Sequence, residues 1–118
     1  MAETVSLFAL QDVFSRMIPR LLDKAHELGF MVTLGETWRS TATARIYHEQ
    51  GKGIPNSLHC DRLAIDINLF KNDEYIRDSE SYGQLGAFWE SLHPLARWGG
   101  NFEHPDGNHF SLEYEGRR

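Results

Sequence analysis

The chain has one cysteine, Cys60, among its 118 residues. An internal disulfide and a cysteine-built zinc cluster are both excluded, and Cys60 reads as a small packing residue. Positive charge is also scarce, with 12 Lys and Arg against 17 Asp and Glu and a formal net charge of -5. Phosphate binding needs clustered basic side chains, so a nucleic-acid partner is not expected. Long-range attraction to an anionic polymer is missing for the same reason, and any affinity for one has to be local. No apolar run is long enough to span a membrane. The opening residues Met1-Ala2-Glu3-Thr4 are not basic, and Gln11 and Asp12 interrupt the apolar stretch that follows, which fits neither a signal peptide nor a membrane span. The chain is therefore expected to accumulate in the cytoplasm as a monomer with no stable membrane association. Repeats, low-complexity segments and linkers are lacking as well, so residues 1–118 read as a single domain. With 41% hydrophobic residues, a chain of this length buries roughly two-thirds of its unfolded surface.

Chemistry concentrates between Ser57 and Asp66. From Leu63 the residues alternate: Leu63, Ile65, Ile67 and Leu69 face one way, and Ala64, Asp66 and Asn68 the other, the period of a half-buried strand. An aspartate in such a strand is costly to bury unless its charge is compensated. A cation would compensate it, with His59 as a second ligand from the preceding loop. Near the end of the chain Phe110, Leu112 and Tyr114 alternate with His109, Ser111 and Glu113, which puts His109 at the start of a second strand, on its polar face. Two histidines and a carboxylate, with a fourth position left for water, is the ligand count of a catalytic zinc site. Asp106, three residues before His109, is placed to act as general base. Structural hydrogen bonding by ordinary polar residues is the competing account of the same side chains. His104 is the rival to His109, but it precedes Pro105 in a loop with nothing to fix its aim. Glu103 is the rival base, set apart from His109 by the same proline.

The rest of the chain reads as scaffold. Ser6 can cap a helix that runs to about Leu28, with an apolar stripe of Phe14, Met17, Ile18, Leu21, Ala25 and Leu28 and a stop at Gly29. His26 lies off that stripe and is expected in solvent. Residues 30–34 have strand composition and lead to Arg39, whose alternatives are an oxyanion or substrate carboxylate and a surface ion pair with Glu36. A short helix follows over Thr41 to Gln50, with His48 exposed. Gly51-Lys52-Gly53 closes it, and Pro55-Asn56 turns the chain into the ligand loop. Lys71-Asn72-Asp73-Glu74 reads as a polar loop and as the mobile edge of the site. Tyr82, Leu85, Phe88, Trp89 and Leu92 define a second amphipathic helix from Ser79 to His93, stopped by Pro94. Residues 97–102 are too glycine-rich for helix and suit a short strand or a loop that brings Trp98 near the site. Trp38, Trp89 and Trp98 are core residues or sugar-stacking platforms. The expected fold is α+β: a small antiparallel sheet carrying the metal site, packed against two longer helices.

The pattern Ser57-x-His59 with Asp66 seven residues on, followed by Asp106-x-x-His109, resembles the zinc peptidases that cleave bacterial cell-wall peptides. These are the D-alanyl-D-alanine carboxypeptidases and dipeptidases and the phage L-alanyl-D-glutamate endolysins. Trp38-Arg39-Ser40 is similar to their upstream aromatic-Arg-Ser/Thr element. One position departs: Arg62 stands where the family usually has glycine. The resemblance implies Zn2+ on His59, Asp66 and His109, Asp106 as base, Arg39 on developing negative charge, and Arg39 and Ser57 as substrate contacts. It implies peptidoglycan stem peptides as substrate and, for a phage or prophage lysis enzyme, passage to the wall with the help of a separate membrane-permeabilising protein. A D,D-carboxypeptidase or dipeptidase, a virion part that opens the wall locally, and a non-catalytic wall-binding module of the same fold are the alternatives.

Overall fold

A computed structural model describes residues 6–54 and 56–118. The expectations on Met1-Ala2-Glu3-Thr4 and on the Pro55 half of the Pro55-Asn56 turn lie outside the described residues.

Helix α1 spans Leu7–Glu27, and the Ser6 hydroxyl caps it by accepting the Ala9 amide at 3.1 Å. It ends as the sequence suggests, with Gly29 in the left-handed region at φ 92°. Leu10, Phe14, Met17, Leu21 and Ala25 form its buried stripe. Strand β1, Met31–Leu34, then pairs antiparallel with β2, Ala64–Lys71. Between them lie α2, Thr41–Glu49, and a single 3-10 turn over Leu58–Asp61. Strands β4, Ala96–Trp98, and β5, His109–Leu112, complete the path, in spatial order β1-β2-β5-β4. The fold is α+β.

Strand β2 takes two partners on one edge, β5 along Ala64–Asp66 and the two-residue β3, Glu74–Tyr75, along Phe70–Lys71. This corrects the reading of residues 71–74. Asn72 and Asp73, at φ 53° and 65°, form the two-residue turn of a β-hairpin whose twist matches its strands. The turn sits roughly 16 Å along the strand from Asp66, so it is not an edge of the site.

The expected second long helix is also different. Ser79–Tyr82 is a 3-10 turn, and α3 covers only Gly83–Ser91. Asp78 is the cap, accepting the Ser81 amide at 2.9 Å. Tyr82 is buried, and its hydroxyl donates to the Ile76 carbonyl and accepts the Leu69 amide, which ties the tight turn to the end of β2. Tyr114 falls outside β5 and instead bridges Arg117.

The core lies between one face of the sheet and the helices α1 and α3. Ile65 pairs with Phe110 across β2 and β5, and both are buried on that face. Trp89 of α3 joins the layers: its ring meets Phe14 and Phe110 edge-on, and its indole N–H donates to the Ser111 carbonyl at 3.0 Å. Because β5 is central, its four residues are all buried, including His109 and Ser111 on the face expected to be polar. Ser111 is fully buried, and its hydroxyl has no hydrogen-bond partner among the described residues. An orphaned buried hydroxyl carries a desolvation penalty of about 1–3 kcal/mol. Ser111→Ala is therefore expected to match or exceed the wild type in denaturant-unfolding free energy. A clear loss of stability would show that the hydroxyl is satisfied after all.

Candidate metal centre

The register of β2 on β5 makes Asp66 and His109 direct partners. Opposed residues in an antiparallel pair share a face, so the two side chains meet on the side of the sheet away from the core. His59 reaches them from the 3-10 turn just before β2. Ser57 shapes that turn by accepting the His59 amide at 3.1 Å. Arg62 ends it in the left-handed conformation, φ 56°, where a glycine would be unstrained. The penalty for an ordinary residue there is about 1–2 kcal/mol, and the Arg62 guanidinium stacks 5.1 Å from the Trp38 ring. Arginine thus holds the turn in the shape that glycine would allow.

His59 Nε2 lies 3.3 Å and His109 Nδ1 lies 3.5 Å from the same Asp66 oxygen, Oδ1. One ligand atom from each of the three residues lies within 4.8 Å of the others. Neither approach is a hydrogen bond, and Asp66 Oδ1 is buried without a partner among the described residues. A buried anionic oxygen facing two imidazole nitrogens is the donor set that zinc prefers. Tetrahedral ligands at about 2.0–2.1 Å from a zinc ion stand about 3.3–3.4 Å apart, close to the two separations from Asp66 Oδ1, and with the histidine nitrogens within 4.8 Å of each other the three residues fit the ion.

Electrostatics follow the same geometry. Burial alone would raise the Asp66 carboxyl, but the two histidines outweigh it and hold the group at about 2. Asp106 moves the other way. Desolvation raises its carboxyl, His109 opposes the rise, Asp66 reinforces it and His59 opposes it. Although Asp106 is exposed as a residue, it feels the charge of all three proposed ligands.

These residues share a cleft of about 540 Å³, lined by Arg39, Ser57, His59, Asp66, Phe102, His104, Asp106, His109 and Arg118 among others. His104 stands in the wall and is not part of the ligand cluster among the described residues. Glu103 is exposed and does not line the cleft. Arg39 is both cleft-lining and ion-paired. Its Nε and Nη2 meet Glu36 Oε1 at 2.6 and 2.5 Å, which leaves three of its five N–H donors without a partner among the described residues. Trp38 is half exposed and lines a separate apolar groove with Phe14, Ile18, Leu34 and Ile65. Trp89 and Trp98 are buried.

A family model described as D-alanyl-D-alanine carboxypeptidase matches residues 50–112, more than half of the chain. The chain belongs to the D-alanyl-D-alanine carboxypeptidase family. The matched span contains His59, Asp66, Asp106 and His109, while Glu36 and Arg39 lie before it. Among solved structures, the crystal structure of the Serratia marcescens L-Ala D-Glu endopeptidase ChiX is similar, with a TM-score of 0.67 and 21% identity over 83% of this chain and 79% of that one. At that identity the likeness speaks for the shared fold. No curated protein matches the chain.

Two supports of this carboxypeptidase-family site were not visible in the sequence. Gly99 begins a 3-10 turn behind the Asp106–His109 segment, and its carbonyl accepts the Asp106 amide at 2.9 Å. A methyl group there would stand 2.1 Å from the Asp106 carbonyl oxygen and 2.9 Å from His109 Cβ. Gly107, between Asp106 and His109, does not have a positive φ. It is glycine because Ser79 lies against it, 2.5 Å from where a Cβ would be, with the Ser79 hydroxyl accepting its amide. The Trp98 indole donates to the Gly107 carbonyl at 2.7 Å. Close approaches made only in the folded chain, to Asp106 and His109 for Gly99 and to the distant Ser79 for Gly107, make these glycines necessary. Gly99→Ala should therefore displace the Asp106–His109 segment and lose about 1–3 kcal/mol or more of unfolding free energy, as overpacked sites do. A variant with wild-type stability in chemical denaturation would contradict this account.

Proposed function

We propose that residues 1–118 form one zinc peptidase domain that hydrolyses a peptide bond in peptidoglycan stem peptides, of the L-alanyl-D-glutamate endopeptidase type. The observation that carries the reading is the convergence of His59 Nε2, Asp66 Oδ1 and His109 Nδ1, with Asp106 in the same cleft. Membership of a carboxypeptidase family supports peptide hydrolysis, and the activity of the similar Serratia endopeptidase supports the choice of bond.

His59, Asp66 and His109 would hold the ion. Zinc supplies Lewis acidity and water activation near neutral pH. Asp106 takes a proton from the attacking water and returns it to the leaving amine. Its partly desolvated, raised carboxyl suits both halves of that transfer. Arg39, held by Glu36, directs its remaining donors at a substrate carboxylate or at the oxyanion as it develops. Ser57 lines the same cleft, with its hydroxyl proton available to substrate. In a chain of net charge -5, guanidinium groups at the cleft provide the local attraction that an acidic stem peptide needs. A phage or prophage endolysin that reaches the wall with the help of a separate factor is the setting this reading assigns. The family description favours a second reading, a D,D-carboxypeptidase.

Digestion of purified peptidoglycan with mass analysis separates the two. Endopeptidase action frees stem peptides from the glycan, whereas carboxypeptidase action releases single D-alanine. A strong chelator should abolish either and lower the melting temperature, because bound metal stabilises the fold. His59→Ala should lose stoichiometric zinc. Retention of full zinc by that variant would remove His59 from the ligand set.

The base is tested separately. Asp106→Asn is expected to keep fold and zinc and to cleave about a hundred- to ten-thousandfold more slowly. Glu103→Gln should cleave at the wild-type rate, and the reverse result would reassign the role to Glu103.

A further inference from the structure

Two carboxylates face the His59 imidazole from opposite ends. Asp66 lies 3.3 Å from Nε2, and Glu36 Oε1 lies 3.9 Å from Nδ1. His59 Nδ1 is buried and has no hydrogen-bond partner among the described residues. Glu36 was legible in the sequence only as an ion-pair partner for Arg39, and it does pair with Arg39 through the same oxygen. The backbone around it is tied to both proposed ligands. Asp66 donates its amide to the Glu36 carbonyl at 2.9 Å, and Gly35 donates to the Asp66 carbonyl at 2.7 Å. Arg39 donates its amide to the His59 carbonyl at 3.2 Å. Gly35 leaves no slack, since a Cβ there would stand 2.9 Å from the Asp66 carbonyl oxygen and 3.1 Å from its Cβ. The Glu36 carboxylate is thus anchored beside the far edge of the His59 ring.

We propose that Glu36 is a positioning residue for the metal centre, holding the proton of His59 on Nδ1 so that the Nε2 lone pair faces the cleft. This rests on the reading of His59 as a zinc ligand. An imidazole offers a metal only a nitrogen without a proton, and which nitrogen that is depends on what the other one faces. Asp66 alone would draw the proton to Nε2, directly into the ligand position. Glu36 opposes that pull from the other end of the ring, and carboxylates in this relation to ligand histidines raise their basicity and fix their orientation. The same oxygen aligns Arg39, so one carboxylate sets the direction of a metal ligand and of a cationic substrate contact.

The test measures zinc affinity by chelator competition, independently of activity, in the wild type, Glu36→Ala, Glu36→Gln and Arg39→Gln. Loss of the carboxylate in Glu36→Ala should weaken zinc binding about 10- to 100-fold. Glu36→Gln keeps an acceptor oxygen without the charge and should fall between that variant and the wild type. Arg39→Gln should bind zinc as the wild type does. In the zinc-loaded wild type, the Nδ1–H proton of His59 should give a resolved downfield NMR resonance that moves upfield in Glu36→Ala. Wild-type affinity in both Glu36 variants would overturn the role of Glu36 while leaving the zinc site intact. An equal loss in Arg39→Gln would overturn it too, by showing that Glu36 acts only through Arg39. A wild type that binds no zinc would remove the site and this inference together.

Discussion

The antiparallel pairing of Asp66 with His109 is the contact on which the site depends. Strand periodicity makes it all or nothing, because a shift of one residue turns every side chain to the opposite face. With Ile65 opposite Phe110 and both in the core, a slip of β5 would place apolar side chains in the cleft and His109 among Trp89 and its neighbours. The apolar face therefore enforces the register, and the register brings the two donor atoms together. Folding energy drawn from hydrophobic burial is what holds polar groups at ligand distance.

The elements readable from the sequence were those whose cause is local. Ser6, the apolar stripe of α1 and Gly29 each act within a turn or two, so the helix bounds follow from them directly. The trio that the structure brings together was legible by pattern: Asp66 interrupts an apolar strand, His59 stands in the loop just before it, and His109 opens the polar face of a second strand. The division of Ser79–His93 into a 3-10 turn and a shorter helix was not legible. It depends on Tyr82 reaching Ile76 and Leu69, contacts made by the folded chain. Gly99 and Gly107 look like ordinary loop glycines until the segments they touch are brought beside them. Glu36 was half legible: its neighbour Arg39 is three residues away, but His59 is near it only in space.

Two short segments frame the site from opposite sides of the sheet path. Residues 35–39 are stitched by backbone hydrogen bonds to Asp66 and His59, and residues 106–109 are braced by Gly99, Trp98 and Ser79. Apart from His109 at the start of β5, neither segment is regular strand or helix, yet each is fixed by amides and carbonyls that have partners. A site on irregular backbone keeps its geometry only where those backbone groups are satisfied. Here the satisfaction is mutual, since the ligand-bearing residues supply several of the partners.

The hairpin at Asn72–Asp73 has a different consequence. It caps β2 at the end remote from Asp66, and its two turn residues make the shortest link that joins β2 to β3. Extra sequence grafted at that tip would extend away from the cleft and leave the paired region of β2 and β5 unchanged. A chain built this way can acquire reach, an attachment module or a new surface at one pole of its sheet while its chemistry stays at the other. Those two properties can then vary independently in descendants of the same fold.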